Sequence, residues 1–206
     1  MRPHLPLLIL IASLAHTAHA QIFAVYATYS PLHASNVQTG SIQGTTGFTN
    51  QYTSFWTSGI GGGVTLGVLP IGPVRIGLDL RGSTKPGTVG ADTAFAGVKV
   101  AFKAPLIPIK PYIQASGGYV ATRTFNVSTT TSALGTTVNS GGTFTNQYAA
   151  YEILGGIDYH LFPFVDLRMI EIGAGKGYNS GISLGTLNLN QNLTIFTVNT
   201  GVVAHF

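Results

Sequence analysis

The chain of 206 residues has no cysteine, only 8% charged residues, and no long apolar run beyond its first twenty positions. Each absence excludes something. Without cysteine an exported chain cannot be a small scaffold held together by disulfides. A typical soluble domain is roughly a quarter charged, so this scarcity of charge argues against an ordinary water-exposed surface. No segment after the start approaches the ~18 continuous apolar residues of a membrane helix. The excess of basic residues, a formal +4, is spread along the chain. With no basic stripe and no interleaved aromatics, no nucleic-acid partner is expected. His33, His160 and His205 are far apart without metal-ligand spacing, so no metal and no other cofactor is expected.

What is present begins with MRPHLPLLILIASLAHTAHA. Arg2 precedes an apolar run from Leu5 to Leu14, and Ala18-His19-Ala20 has the small-x-small form that signal peptidase reads. Residues 1–20 read as a cleaved secretory signal peptide, and residues 21–206 as one domain. Export, high hydropathy and few charges together describe a chain that meets lipid as strands. Strands can span a bilayer only in a closed barrel, because lipid cannot satisfy an open sheet edge.

Eight strands are expected: Gln21 to Ser30, Tyr52 to Leu69, Val74 to Gly82, Asp92 to Lys103, Pro111 to Phe125, Gln147 to Leu161, Val165 to Gly173 and Asn190 to Phe206. Three connections are short and proline-marked, at Pro70 to Pro73, Ala104 to Lys110 and Phe162 to Phe164. The other four are longer and rich in Ser, Thr, Asn and Gly: Pro31 to Gln51, Ser83 to Ala91, Asn126 to Asn146 and Ala174 to Leu189. Short and long alternate, as in a transmembrane up-and-down antiparallel β-barrel with tight periplasmic turns and large outer loops. The low-complexity Thr-rich stretch after Asn126 is expected as a mobile loop.

Alternation sets the faces. In VRIGLDLRG, Val74, Ile76, Leu78 and Leu80 fall on one side, and Arg75, Gly77, Asp79 and Arg81 on the other. Period two with charge on one face fits a lipid side and a lumen side. A soluble barrel would reverse the faces, and periodicity alone does not choose. In VDLRMIEIG the phase breaks at Ile170, and a bulge near Met169 and Ile170 would return Glu171 to the lumen. The lumen set is then Arg75, Asp79, Arg81, Lys99, Lys103, Glu152, Asp158, Asp166, Arg168 and Glu171. Eight strands leave an interior just wide enough for side chains, so these charges are expected to pair as a plug. Symmetric pairing about Pro163 would set His160 against Asp166 and Asp158 against Arg168. Gly59, Gly61, Gly63 and Gly67 share one face, where small residues could make room for bulky neighbours.

FTNQY occurs twice, at Phe48 to Tyr52 and Phe144 to Tyr148. A glycine-bearing strand, a proline turn and a charged alternating strand follow each copy. The repeat suggests a half-barrel of four strands used twice, with Phe48, Tyr52, Phe144 and Tyr148 in the outer aromatic girdle. Compositional coincidence is the other reading.

The chain ends in GVVAHF, with Phe206, Ala204, Val202, Thr200, Val198 and Phe196 on one face. A terminal Phe closing an alternating strand resembles the assembly signal of bacterial outer-membrane barrels. The mature chain resembles the small OmpA- and OmpX-type eight-stranded barrels, without the periplasmic domain of full OmpA proteins. The resemblance implies residence in the bacterial outer membrane. Its partners would be outer-membrane lipid and the barrel assembly machinery, which would read Phe206. A surface ligand is left unnamed, and a monomer is expected. The expected role is structural or surface-interactive, adhesion-like, with a small pore for ions or solutes as the alternative. Lipid hydrolysis would need a nucleophile, base and acid within reach. His33-Ala34-Ser35 supplies two of them with no carboxylate in its loop, so no enzyme is expected.

Overall fold

A computed structural model describes residues 23–44, 47–103, 107–131, 137–179 and 192–206. Residues 1–20, expected as a signal peptide, and most of the Ala174 to Leu189 connection lie outside this set. The described residues form ten strands: β1 (Phe23–Tyr29), β2 (Leu32–Gly44), β3 (Gly47–Thr57), β4 (Ile60–Ile71), β5 (Val74–Lys85), β6 (Gly90–Phe102), β7 (Ile109–Thr131), β8 (Thr137–Phe162), β9 (Val165–Asn179) and β10 (Asn192–His205).

Ten strands make eight staves. β1 pairs with β4 on one side and β10 on the other, which closes the sheet. β2 continues β1 along β10, and β3 continues β4 beside β2. Backbone bonds carry the ladder over both breaks: Ser30 donates to the Gly59 carbonyl at 2.9 Å, and Val198 to the Pro31 carbonyl at 3.1 Å. All pairing is antiparallel. The protein is therefore a transmembrane up-and-down barrel of eight antiparallel staves, with no sheet edge around its girth.

The burial pattern gives the faces. One outward row runs Phe23, Leu66, Leu78, Val98, Ala115, Ile153, Ala174, Phe196, each opposite the next across the ladder. All eight are exposed. The inward neighbours Asp79, Lys99, Gln114, Glu152 and Glu171 are buried. Apolar outside and charged inside is the inverse of a soluble barrel. The row also measures stagger. Phe206 donates its backbone N–H to the Phe23 carbonyl, yet the row returns on Phe196, ten residues away along the last stave. Such a stagger requires strands tilted against the barrel axis.

Two expected features hold in detail. β8 pairs Ile157 with Ile170 and Asp158 with Arg168, so Met169 is the extra residue of a bulge. The bulge lets Arg168 and Glu171 share the inside although three positions separate them. The turn at Gly72, with φ of 59°, joins β4 to β5 in a conformation that glycine adopts at no steric cost.

The long connections differ from expectation. Asn126 to Asn146 is mostly ladder, from Asn126 opposite Gly142 to Thr131 opposite Thr137. The first connection is likewise a hairpin, closing at Gly44 opposite Gly47. Threonine is β-branched and suits a strand without any apolar alternation, which is why composition reads as loop. Pairing in β2 slips between Ala34 and Val37, and Asn36 there has φ of 60°. This bulge bends the hairpin, and β2 approaches β7 and β8 over the barrel mouth.

Candidate functional site

The lumen is layered along its axis. At the short-turn end Asp166, fully buried, takes three donors. Lys110 Nζ lies at 2.5 Å, His205 Nε2 at 2.7 Å and His160 Nδ1 at 2.8 Å. Histidines far apart in sequence thus meet on one carboxylate, and Lys110, outside the expected lumen set, joins them. Symmetric pairing about Pro163 foretells the His160 contact, whereas spacing along the chain gives no sign of Lys110 and His205, which reach Asp166 from β7 and β10.

The next layer is an ionic lattice. Asp79 accepts from Thr65 at 2.7 Å, Tyr26 at 2.8 Å, Gln114 at 2.9 Å and Arg81 at 3.1 Å. Glu171 accepts from Tyr112 at 2.6 Å, Asn199 at 2.7 Å and Arg81 at 2.8 Å. Arg168, wholly buried, reaches Asp158 at 3.1 Å and Glu171 at 3.2 Å. Its guanidinium also lies 4.3 Å from the Tyr26 ring centre, and Lys99 Nζ lies 3.7 Å from that of Tyr112. Lys99 completes the set on Asp158 at 3.3 Å. Positive charge over a ring face is attracted by its quadrupole, which helps hold cations away from water. The neutral donors Tyr26, Thr65, Tyr112, Gln114 and Asn199 are not among the residues the sequence points to, because only charge marks the inside there.

Of the ten expected lumen charges, Asp79, Arg81, Lys99, Asp158, Arg168 and Glu171 belong to this lattice and Asp166 to the rim cluster. Glu152 is buried higher up and accepts from Thr197 at 2.6 Å beside a cavity of about 30 Å³. Arg75 and Lys103 are half-buried at the short-turn mouth. Partial burial, then the charges of Arg75 and Lys110, lower the Lys103 pKa below the ordinary lysine value. Lys85, placed in a loop by its sequence context, is fully buried at the end of β5 and donates to Ser83 Oγ.

Glycines give the lattice its room. A Cβ on Gly63 would collide with the Tyr26 ring and hydroxyl, and one on Gly156 would stand 2.5 Å from the Tyr112 hydroxyl. Gly63→Val is expected to lower stability by about 1–3 kcal/mol through overpacking. A fall in the denaturant midpoint of the folded barrel checks this.

The outer layer is apolar, and charge patterning gives no sign of it. Leu32, Ala34, Val37, Phe95, Val120, Tyr148, Leu193 and Ile195 form one buried cluster. The second FTNQY therefore ends inside: Tyr148 is buried, whereas Tyr52 is exposed. The two tyrosines do not share a girdle position, and the side chains of Phe48 and Phe144 lie outside the described ones. His33 packs on Trp56 at 4.8 Å between ring centres, and Trp56 meets Phe196 edge-on at 6.3 Å. Phe206 is exposed at the far rim, 6.1 Å from Phe23.

No protein-family model and no curated protein matches this chain. Solved structures similar to it include three outer-membrane proteins. The N-terminal β-barrel domain of Pseudomonas aeruginosa OprF is 14% identical, with a TM-score of 0.43 over 89% of this chain and 97% of that one. The attachment invasion locus protein Ail of Yersinia pestis is 8% identical, with a TM-score of 0.42 over 89% and 99%. The protease OmpT from Escherichia coli is 7% identical, with a TM-score of 0.42 over 89% and 96%. Names so different, at identities so low, carry no role to this chain. The barrel rests on its own closed strand pairing.

Proposed function

We propose that this chain is an integral protein of the bacterial outer membrane with a closed lumen, serving as a rigid mount for its long hairpins. Its role is structural or surface-interactive rather than enzymatic. The observation that carries this reading is the layered interior: an ionic lattice beneath an apolar cluster, both built from side chains of facing staves. The ion pairs of this lattice cross-link facing staves and fill the space that a path would need. The β2–β3 and β7–β8 hairpins extend beyond the ladder of their neighbours, where a surface partner would meet them. His33 is engaged with Trp56, and no catalytic role is assigned to it. Lipid contacts the outward apolar rows, and Phe206 serves assembly.

The second reading, a small pore, is favoured by one observation: cavities of about 100 and 30 Å³ lie along the lumen charges. Planar-bilayer recording separates the two. Silence or rare flickers are expected from the purified barrel. Steady conductance that changes with Glu152→Gln would establish the pore instead.

A further inference from the structure

The short-turn mouth of the lumen holds more cations than its carboxylates can match. Its cavity of about 100 Å³ is lined by Arg75, Lys99, Lys103 and Lys110 against Asp158 and Asp166. Both carboxylates are already engaged. Asp158 is held by Lys99 and Arg168, and Asp166 by Lys110 with His160 and His205. Arg75 and Lys103 are left without an ion pair among the described residues, half-buried and close enough to repel one another. Partial burial weakens the hydration that would otherwise stabilise them. The space exceeds the ~30 Å³ share of one water several-fold, so it admits a small polyatomic anion.

We propose that this mouth is a binding site for a phosphate group, held between the guanidinium of Arg75 and the ammonium of Lys103. Arginine offers a planar fork that engages two oxygens of a phosphate at once, and lysine adds a compact point charge. The phosphate has two sources at this rim: free inorganic phosphate, or the headgroup of a phospholipid in the adjoining leaflet. The site does not depend on whether the lumen conducts.

The test uses the full mature chain folded in dodecyl maltoside, which brings no phosphate. Inorganic phosphate is titrated at constant ionic strength against chloride, following the Arg75 side-chain and Lys103 backbone nitrogen resonances. Saturable shifts are expected, and Arg75→Gln with Lys103→Gln should weaken binding about tenfold or more, as loss of charge-assisted hydrogen bonds implies. The retained shift in gel mobility on heating shows that the variant is folded. Should the pair of changes prevent folding, Lys103→Gln alone carries the comparison. In a second arm the barrel is placed in phosphatidylglycerol nanodiscs. Resonances already shifted there without added phosphate identify the lipid as the source, and unshifted resonances that respond to phosphate identify the free anion. A linear response, a response equalled by chloride, or saturation unchanged in the variants overturns the site.

Discussion

Arg168→Met is expected to cost the folded barrel about 3–5 kcal/mol, the range for removing one partner of a buried ion pair. Methionine roughly fills the volume, so the loss is one of charge. Arg168 is the residue that ties Asp158 to Glu171, and it lies against the Tyr26 ring as well. Without it Asp158 keeps only Lys99 as an ion-pair partner, at 3.3 Å. Glu171 keeps Arg81, Tyr112 and Asn199. Denaturant unfolding in lipid vesicles, followed by the fluorescence of Trp56, the single tryptophan, gives the measurement. Glu152→Gln is the counterpart. Glu152 has no cation within ion-pair distance among the described residues, and glutamine keeps the bond from Thr197. That change should be neutral or stabilising, because it removes a buried charge that no ion pair among the described residues compensates. Pairing Arg168→Met with Asp158→Asn should recover part of the loss, as coupled neighbours do. An Arg168→Met barrel that unfolds at the unaltered denaturant concentration would show that the lattice does not hold the staves together.

How far this lattice is legible in the sequence depends on what marks the inside. In β5 and β9 charges alternate with large apolar residues, so face, register and even the bulge at Met169 follow from the order of residues alone. The turn at Pro163 fixes which residues of β8 and β9 oppose one another. In the outer half of the barrel that contrast disappears. Val120, Tyr148, Leu193 and Ile195 point inward while Tyr119, Tyr151 and Phe196 point outward, and both faces are apolar. Period two then has no sign, and the apolar layer cannot be assigned from it. The neutral donors to Asp79 and Glu171 are hidden for the related reason that tyrosine and glutamine suit either face. A third limit is the reach across staves. The Pro163 turn sets His160 against Asp166, but Lys110 and His205 come to the same carboxylate from β7 and β10, where no short spacing marks them. The long hairpins pass for loops because serine and threonine populate exposed ladders and loops alike.

The strongest test of the outward face is Leu78→Arg. Leu78 is 51% exposed in the middle of β5, with Leu66 and Val98 opposite it on the neighbouring staves and both exposed. If these side chains face hydrocarbon, an arginine there must be desolvated or must drag water inward. Near the bilayer midplane that costs about 2–4 kcal/mol, and close to the interface about 0–1. Ile71 supplies the comparison at shallow depth, since it is 59% exposed beside the Gly72 turn. Ile71→Arg should therefore be mild, and Leu78→Arg should lower both the stability in vesicles and the amount inserted in the outer membrane. A barrel whose apolar rows met water would give a different result. Exposed substitutions away from packing usually change stability by no more than about 0.5 kcal/mol, so both arginines would then be harmless and equal. It would also have to keep a continuous apolar belt in water, which monomeric soluble proteins avoid beyond a few hundred Å². The difference between the two positions, more than the size of either effect, distinguishes a lipid-facing belt from a wetted one.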